Sequence, residues 1–387
     1  MPGNFKQTPG GKNPAQEKEL IQIAKLFLKL GLIGFGGPAV HIALMEEEVV
    51  RKKQWMDHQH FLDLVGATNL IPGPNSTEMT MHIGNEKAGW RGLVLAGCCF
   101  IIPAVMITAV LAWLYQQYGQ LPKVQPFIYG VKPAIIAVIV VTMIALGRKA
   151  LKSVQLGIIG IASALAVLVG ANEIYVLFGA GLTGIVLHLM RWRTNVVNGI
   201  VPFTLLQLSS AHLDTSPVKL FLIFLKVGAI LYGSGYVLFA FLDAELVARG
   251  LLSKQQLIDA IAVGQFTPGP VFSSATFIGW QIAGLPGVLA ASIGIFLPSF
   301  FFVALLNPLI PRLRKSKLMG AFLDTVNIAS IAIILSVVIE MSRETILDWR
   351  TLLIAAVSFL ITFCFNKINT AFIVFGGAVA GYLLSMI

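Results

Sequence analysis

The stretch FLKLGLIGFGG, Phe27–Gly37, returns as FLKVGAILYGS at Phe224–Ser234, 197 residues further on. LIPGP at Leu70–Pro74 returns as FTPGP at Phe266–Pro270, and AGWRG at Ala88–Gly92 returns as AGLPG at Ala283–Gly287. Pro103 is matched by Pro298, so the offset drifts only from 197 to 195 across the whole span. Glycine, proline and lysine held at a near-constant offset mark an internal duplication. Each copy is embedded in a series of apolar runs of about 20 residues, the length a helix needs to cross a hydrocarbon core.

Composition agrees. Of 387 residues, 56% are hydrophobic and 12% charged, against about 25% charged in soluble domains. That leaves too little polar surface to cover a water-soluble globule. The net charge of +10 sits mainly in short loops, as in Arg148, Lys149 and Lys152, or Arg312, Arg314, Lys315 and Lys317. This is the positive-inside pattern of membrane proteins. No basic stripe interleaved with aromatics suggests a nucleic-acid partner. The three cysteines, Cys98, Cys99 and Cys364, lie in apolar runs without metal-ligand or disulfide spacing. Gly179, Gly181 and Gly184 match a dinucleotide fingerprint by letter, but no strand precedes them. No metal, cofactor or enzymatic activity is expected.

The expected organisation is a disordered polar tail at 1–19, a first repeat at 20–190, a linker at 191–217 and a second repeat at 218–387. Apolar segments fall near 20–45, 61–84, 90–115, 131–147, 154–171 and 173–190, then near 218–243, 257–282, 284–306, 321–341, 349–365 and 370–387. The fold class is an all-α polytopic membrane protein. Segments 61–84 and 257–282 each carry Pro-Gly-Pro at their centre. Two prolines and a glycine do not continue a helix, and freed backbone groups at membrane depth must face protein or a water-filled cavity. If both segments are broken or re-entrant hairpins, each half has five crossings, about ten in all. An odd number makes the halves inverted repeats, common in secondary transporters. Inversion also gathers the basic clusters at 148–153 and 312–317 on one side with Arg51, Lys52 and Lys53. The side of the N-terminus is left open, as is association into a homodimer.

Lys29 and Lys226 stand at matching positions inside apolar runs. A mid-helix lysine costs about 2.5–3.5 kcal/mol on insertion scales. Either both snorkel to the interface, or both face one anion site. Gly34, Gly36 and Gly37, and Gly233 with Gly235, either allow close helix packing or break helices and expose N–H donors, which with the helix dipole make an anion site. The breaks themselves are Pro72, Gly73 and Pro74, and Pro268, Gly269 and Pro270. Around them lie Asn69, Asn75, Ser76 and Thr77 in the first half, and Gln265, Ser273, Ser274 and Thr276 in the second. Their amide and hydroxyl donors suit an oxyanion. Glu78, where the second half has Ser274, is a candidate proton-coupling group or the counter-charge of Lys29.

Taken together, FLKLGLIGFGGPAVHI, the paired Pro-Gly-Pro segments and QFTPGPVFSSATFIGW resemble the chromate ion transporter family, over about 20–115 and 218–306. One departure is Glu78, where the family commonly shows an uncharged residue. The resemblance implies secondary transport of chromate, with sulfate as the competing anion, resistance by efflux, and a plasma-membrane location. Sulfate uptake is the alternative within transport, and a membrane redox enzyme acting on chromate the alternative from another class. A dianion leaving an interior-negative cell gains roughly 4.6 kcal/mol per 100 mV, so export driven by potential or by anion exchange is expected.

Overall fold

The computed structural model describes residues 14–191, 216–232, 235–307, 316–365 and 368–386. Most of the expected linker, Gly233, and the basic residues Arg312, Arg314 and Lys315 lie outside these. Among the described residues the chain is helical, without a strand. The first half runs through α1 (Pro14–Ile33), α2 (Pro38–Glu46, continued by a π turn over Glu47–Lys52), α3 (His58–Thr68), α4 (Asn75–Tyr118), α5 (Gln125–Ala150), α6 (Val154–Leu168) and α7 (Glu173–Arg191). The second half runs through α8 (Pro217–Ile230), α9 (Val237–Leu242, continued by a π turn over Asp243–Val247), α10 (Lys254–Phe266), α11 (Ser274–Leu306), α12 (Lys317–Thr345), α13 (Trp349–Cys364) and α14 (Thr370–Leu384). Helix α1 begins inside the stretch expected to be a polar tail. Proline suits a first helical turn, and Glu17 in that turn complements the helix dipole.

Five described stretches are long and apolar enough to cross a membrane: Asn75–Tyr118, Gln125–Ala150, Glu173–Met190, Val271–Leu306 and Lys317–Thr345. Three shorter apolar helices, Val154–Leu168, Trp349–Cys364 and Thr370–Leu384, accompany them. The protein is therefore a multi-pass helical membrane protein.

The duplication is visible in the backbone. Helix α4 kinks at Ala88 (φ −144°) and Gly89 (φ 60°), and α11 kinks at Ala283 (φ −142°) and Gly284 (φ 58°). Only glycine enters the left-handed region without penalty, which explains the repeated Ala-Gly. Each kink folds the helix into two limbs that pack back on one another. A Cβ on Gly84 would meet the Ala96 side chain at 2.7 Å, and one on Gly279 would meet Ala291 at 2.9 Å. In both hairpins the nearest contact is the backbone carbonyl of a second glycine, Gly92 or Gly287.

Contacts at the tips fix how these pieces lie. His60 approaches Glu86 at 3.6 Å and Lys87 approaches Glu19 at 3.6 Å. The starts of α1 and α3 therefore meet the end of the first limb of α4, and the segment through α3 returns to where it began. Trp280 Nε1 donates to Gln116 Oε1 (2.7 Å), and Gln281 Nε2 donates to the Ala112 carbonyl (3.3 Å). The first limb of α11 thus ends beside the far end of α4.

Gly84→Val and Gly279→Val should each lower the unfolding temperature of the purified protein in detergent, through an overpacking cost of about 1–3 kcal/mol. Gly179→Ala, whose Cβ meets nothing within 4 Å, should not lower it. Equal unfolding temperatures in a thermal melt of all three variants would contradict the close approach of the limbs.

Candidate functional site

Four helix breaks meet in the interior. Between α3 and α4 the chain is non-helical through Pro72–Gly73–Pro74, and between α10 and α11 it is non-helical at Pro268–Gly269–Pro270 before a short 3-10 turn over Val271–Ser273. The glycine breaks lie between α1 and α2, and after α8. Gly36 (φ 109°) and Gly37 (φ 81°) take the first glycine break through conformations that other residues avoid. The breaks bond crosswise. Gly73 N–H donates to the Leu231 carbonyl (2.8 Å), and Gly269 N–H donates to the Gly34 carbonyl (2.8 Å). Gly73 corresponds to Gly269, and Gly34 to Leu231, so the two bonds are one interaction made twice.

Both glycines are required on two counts. Gly73 has φ 137° and Gly269 has φ 88°. A Cβ on Gly73 would press on the Glu78 carboxylate and on Ser299 Oγ at 2.5 Å, and one on Gly269 would meet the Ala104 Cβ at 2.7 Å. Ser299 and Ala104 are themselves matched residues, each following a repeated proline.

Most of the sequence-predicted polar residues lie in or beside the turns that begin α4 and α11. Ser76, Thr77, Ser273 and Ser274 are buried there. Ser273 accepts from Thr108 Oγ1 (3.2 Å) and lies 3.5 Å from Thr267 Oγ1. Gln265 is buried, with its Oε1 accepting from the Tyr236 hydroxyl at 3.5 Å. Thr276 sits one turn deeper, bonded to Ser292 at 2.8 Å. Asn75 Nδ2 donates to Asn69 Oδ1 (2.8 Å), at the more open side of the first break. Thr77 Oγ1, Ser274 Oγ and Gln265 Nε2 are buried and make no hydrogen bond within the described protein. Buried polar atoms are nearly always partnered, so these three donors beside the two Pro-Gly-Pro breaks are candidates for contact with a ligand.

Glu78 lies in the first turn of α4, fully buried. Ser299 Oγ donates to its Oε1 at 3.3 Å, while its Oε2 has no partner among the described residues. It does not neutralise Lys29, as the sequence had allowed. Lys29 donates to Glu48 (2.8 Å), and Lys226 donates to Glu245 (2.6 Å). Each lysine thus has its own carboxylate 19 residues ahead, on the returning limb of its own broken helix. The settings differ. The side chains of Lys29 and Glu48 are 53% and 12% exposed, those of Lys226 and Glu245 32% and 6%, and each glutamate holds a second cation, Lys52 at 3.3 Å on Glu48 and Arg249 at 2.7 Å on Glu245.

Sequence reasoning missed Glu48, Glu245, Ser299 and Lys132. The first two carried a readable signal, since the Lys-to-Glu spacing repeats in both halves. Lys132 carried none: its partner, Asp259, lies in the other half, 3.0 Å away.

Duplicated, multi-pass, and built on broken helices that meet at a polar crossing, the chain has the class of a helical membrane transporter. It belongs to the chromate transporter family. The family's sequence profile, described as Chromate transporter, matches residues 21–185 and again 218–382. The Chromate transport protein of Cupriavidus metallidurans is 30% identical over 384 residues, 96% of this chain and 95% of that protein. The Chromate transport protein of Pseudomonas aeruginosa is 28% identical over 383 residues, 94% of this chain and 92% of that one. The uncharacterized transporter YwrA of Bacillus subtilis is 27% identical over 134 residues, 75% of its length but 35% of this chain. No solved structure matches the chain significantly.

Removing one partner of a buried ion pair costs about 3–5 kcal/mol, whereas exposed pairs contribute about 1 kcal/mol or less. Glu245→Ala, which strands the less exposed Lys226 and Arg249, should therefore lower the unfolding temperature more than Glu48→Ala, which strands the more exposed Lys29 and Lys52. Thermal melts of the two purified variants decide this, and an equal or reversed order would refute it.

Proposed function

We propose that this protein is a secondary transporter that exports chromate across the plasma membrane, driven by the membrane potential or by anion exchange, and so confers chromate resistance. The observation that carries the reading is the crossing of the four breaks. Helix starts present unpaired N–H groups and the positive end of the dipole. Here the starts of α4 and α11 are added to the unpartnered donors of Thr77, Ser274 and Gln265. A tetrahedral dianion needs many donors and few full charges, because a strongly bound ion leaves slowly. Gly36, Gly37, Asn69, Asn75, Ser76 and Ser273 complete the proposed lining, with Lys29 and Lys226 supplying a positive field from their ion pairs. Family membership and the names of the relatives support chromate as the substrate.

In this reading the halves are inverted repeats with about ten crossings, and the two Pro-Gly-Pro hairpins enter from opposite faces and meet near the bilayer midplane. The contact of Trp280 with Gln116, opposite in sense to that of His60 with Glu86, supports it. A crosswise pair of identical hydrogen bonds is what a two-fold axis in the membrane plane produces.

Purified protein in liposomes should move chromate faster when a potassium diffusion potential favours anion movement, and roughly 4.6 kcal/mol per 100 mV is available for two charges. Glu78→Gln should keep this response. If flux ignores the potential, follows an imposed proton gradient, and loses that dependence in Glu78→Gln, the driving force is protons and the export reading fails. Sulfate in place of chromate tests selectivity among tetrahedral dianions.

A further inference from the structure

Beyond the crossing, one cluster of charge lies deep between the halves. Lys132 of α5 approaches Asp259 of α10 at 3.0 Å, and the Tyr115 hydroxyl of α4 donates to the other Asp259 oxygen at 2.6 Å. The side chains of Lys132 and Asp259 are 11% and 5% exposed. The pair is poor in hydrogen bonds. Asp259 Oδ1, the atom nearest the ammonium, has no hydrogen-bond partner in proper geometry. An ammonium carries three donors, so this one is held by charge more than by directed bonds.

The cluster also divides the halves. Asp259 has a counterpart in Asp63, 196 residues earlier, but 195 residues after Lys132 stands Asn327. Asp63 accepts from Gln59 of its own helix at 3.4 Å. Helix α10, which Lys132 and Tyr115 hold, is buried from Leu257 through Ala262 and again at Gly264 and Gln265. Helix α3, its counterpart, buries only Phe61, Leu64, Ala67 and Thr68, and Asn69 at its end is exposed. One hairpin is closed in among its neighbours, and the matching hairpin is open.

We infer that Lys132 is an anion-binding residue of the transport path and that Asp259 occupies its site when no substrate is there, locking the second hairpin shut. An arriving tetrahedral oxyanion takes the carboxylate's place on Lys132. Asp259 keeps its bond to Tyr115 of α4, α10 is released from α5, and the path opens on the second hairpin's side as the first hairpin closes. The inference deepens the transport reading and rests on it. It adds a cation and a gate that lie away from the crossing.

The test uses a chain in which Cys98, Cys99 and Cys364 are replaced by alanine and a single cysteine is placed by Gly66→Cys on α3, which is partly exposed, or by Ala262→Cys at the matching, buried position of α10. Membrane vesicles are treated with a membrane-impermeant maleimide. With the pair intact, the cysteine at 66 should label and that at 262 should not. In Asp259→Asn and in Lys132→Gln the order should reverse, with labelling at 262 rising about tenfold and labelling at 66 falling. The charge exchange Lys132→Asp with Asp259→Lys should restore the original pattern. Chromate or sulfate added to the chain with the pair intact should reproduce the reversal, and should have no effect in Lys132→Gln. Labelling that rises at both positions marks a loosened fold and overturns the inference, as does labelling that changes at neither. A reversal in the variants that no oxyanion reproduces overturns the role of Lys132 in binding. The variant arms need no substrate, so chromate flux in liposomes judges the transport reading separately.

Discussion

A break in a helix at membrane depth frees N–H and C=O groups that have no water to turn to, each at a cost of several kcal/mol if left alone. Here the breaks are completed by one another across the duplication: Gly73 N–H by the Leu231 carbonyl, and Gly269 N–H by the Gly34 carbonyl. The rest of the interior follows from that exchange. Each Pro-Gly-Pro segment must reach a break in the other half, so both run into the interior. The glycine at each centre must let two backbones come within hydrogen-bond distance, which excludes a side chain at 73 and 269. Neither half completes its own interior, so the two copies act as one body.

The same constraint decides where full charge is tolerated. At the crossing the groups are hydroxyls, amides and helix starts, and Glu78 is the one carboxylate among them in the described residues. The lysines of the repeated FLK segments are held by Glu48 and Glu245 on the returning limbs of their helices. In a low-dielectric interior an unpaired ammonium is costly, and pairing lets each lysine shape the local field without fixing an anion in place. A transport site gains from this division. Under the proposed function, donors without net charge would hold a dianion long enough to orient it, and paired lysines would keep the surrounding potential favourable to entry.

Much of this was legible in the sequence, and for a definite reason. Proline and glycine at fixed offsets have local meaning, so the breaks at 72–74 and 268–270 and the duplication could be read from single positions. The kinks at Ala88–Gly89 and Ala283–Gly284 belong to the same kind of signal. What stayed hidden are the interactions that join distant segments. The acceptors at Gly34 and Leu231 are backbone carbonyls, which no side chain announces. Lys132 lies in a span where the halves match only in hydropathy, and its partner stands 127 residues away. Glu48 and Glu245 lie between these cases: their spacing from the lysines repeats, but a glutamate near a helix end reads as an ordinary surface residue until the break at 34–37 turns the chain back.

A duplication made of two equal copies would, under the proposed inversion, give the protein two states of equal energy, one the image of the other. Such a protein has no resting side. The departures from symmetry are therefore the places where preference must be written. Glu78 stands where the second half has Ser274, and Lys132 where it has Asn327. In addition, α10 is buried along most of its length, where α3 is half exposed. These departures lie on the hairpins or against them, rather than in the outer helices. Charge placed there acts on the elements that differ between the two states, and so biases their equilibrium directly. Charge placed on the outer helices would act on both states alike and shift nothing. Under the proposed inversion, the symmetric residues build the crossing and the asymmetric ones bias which side of it is open.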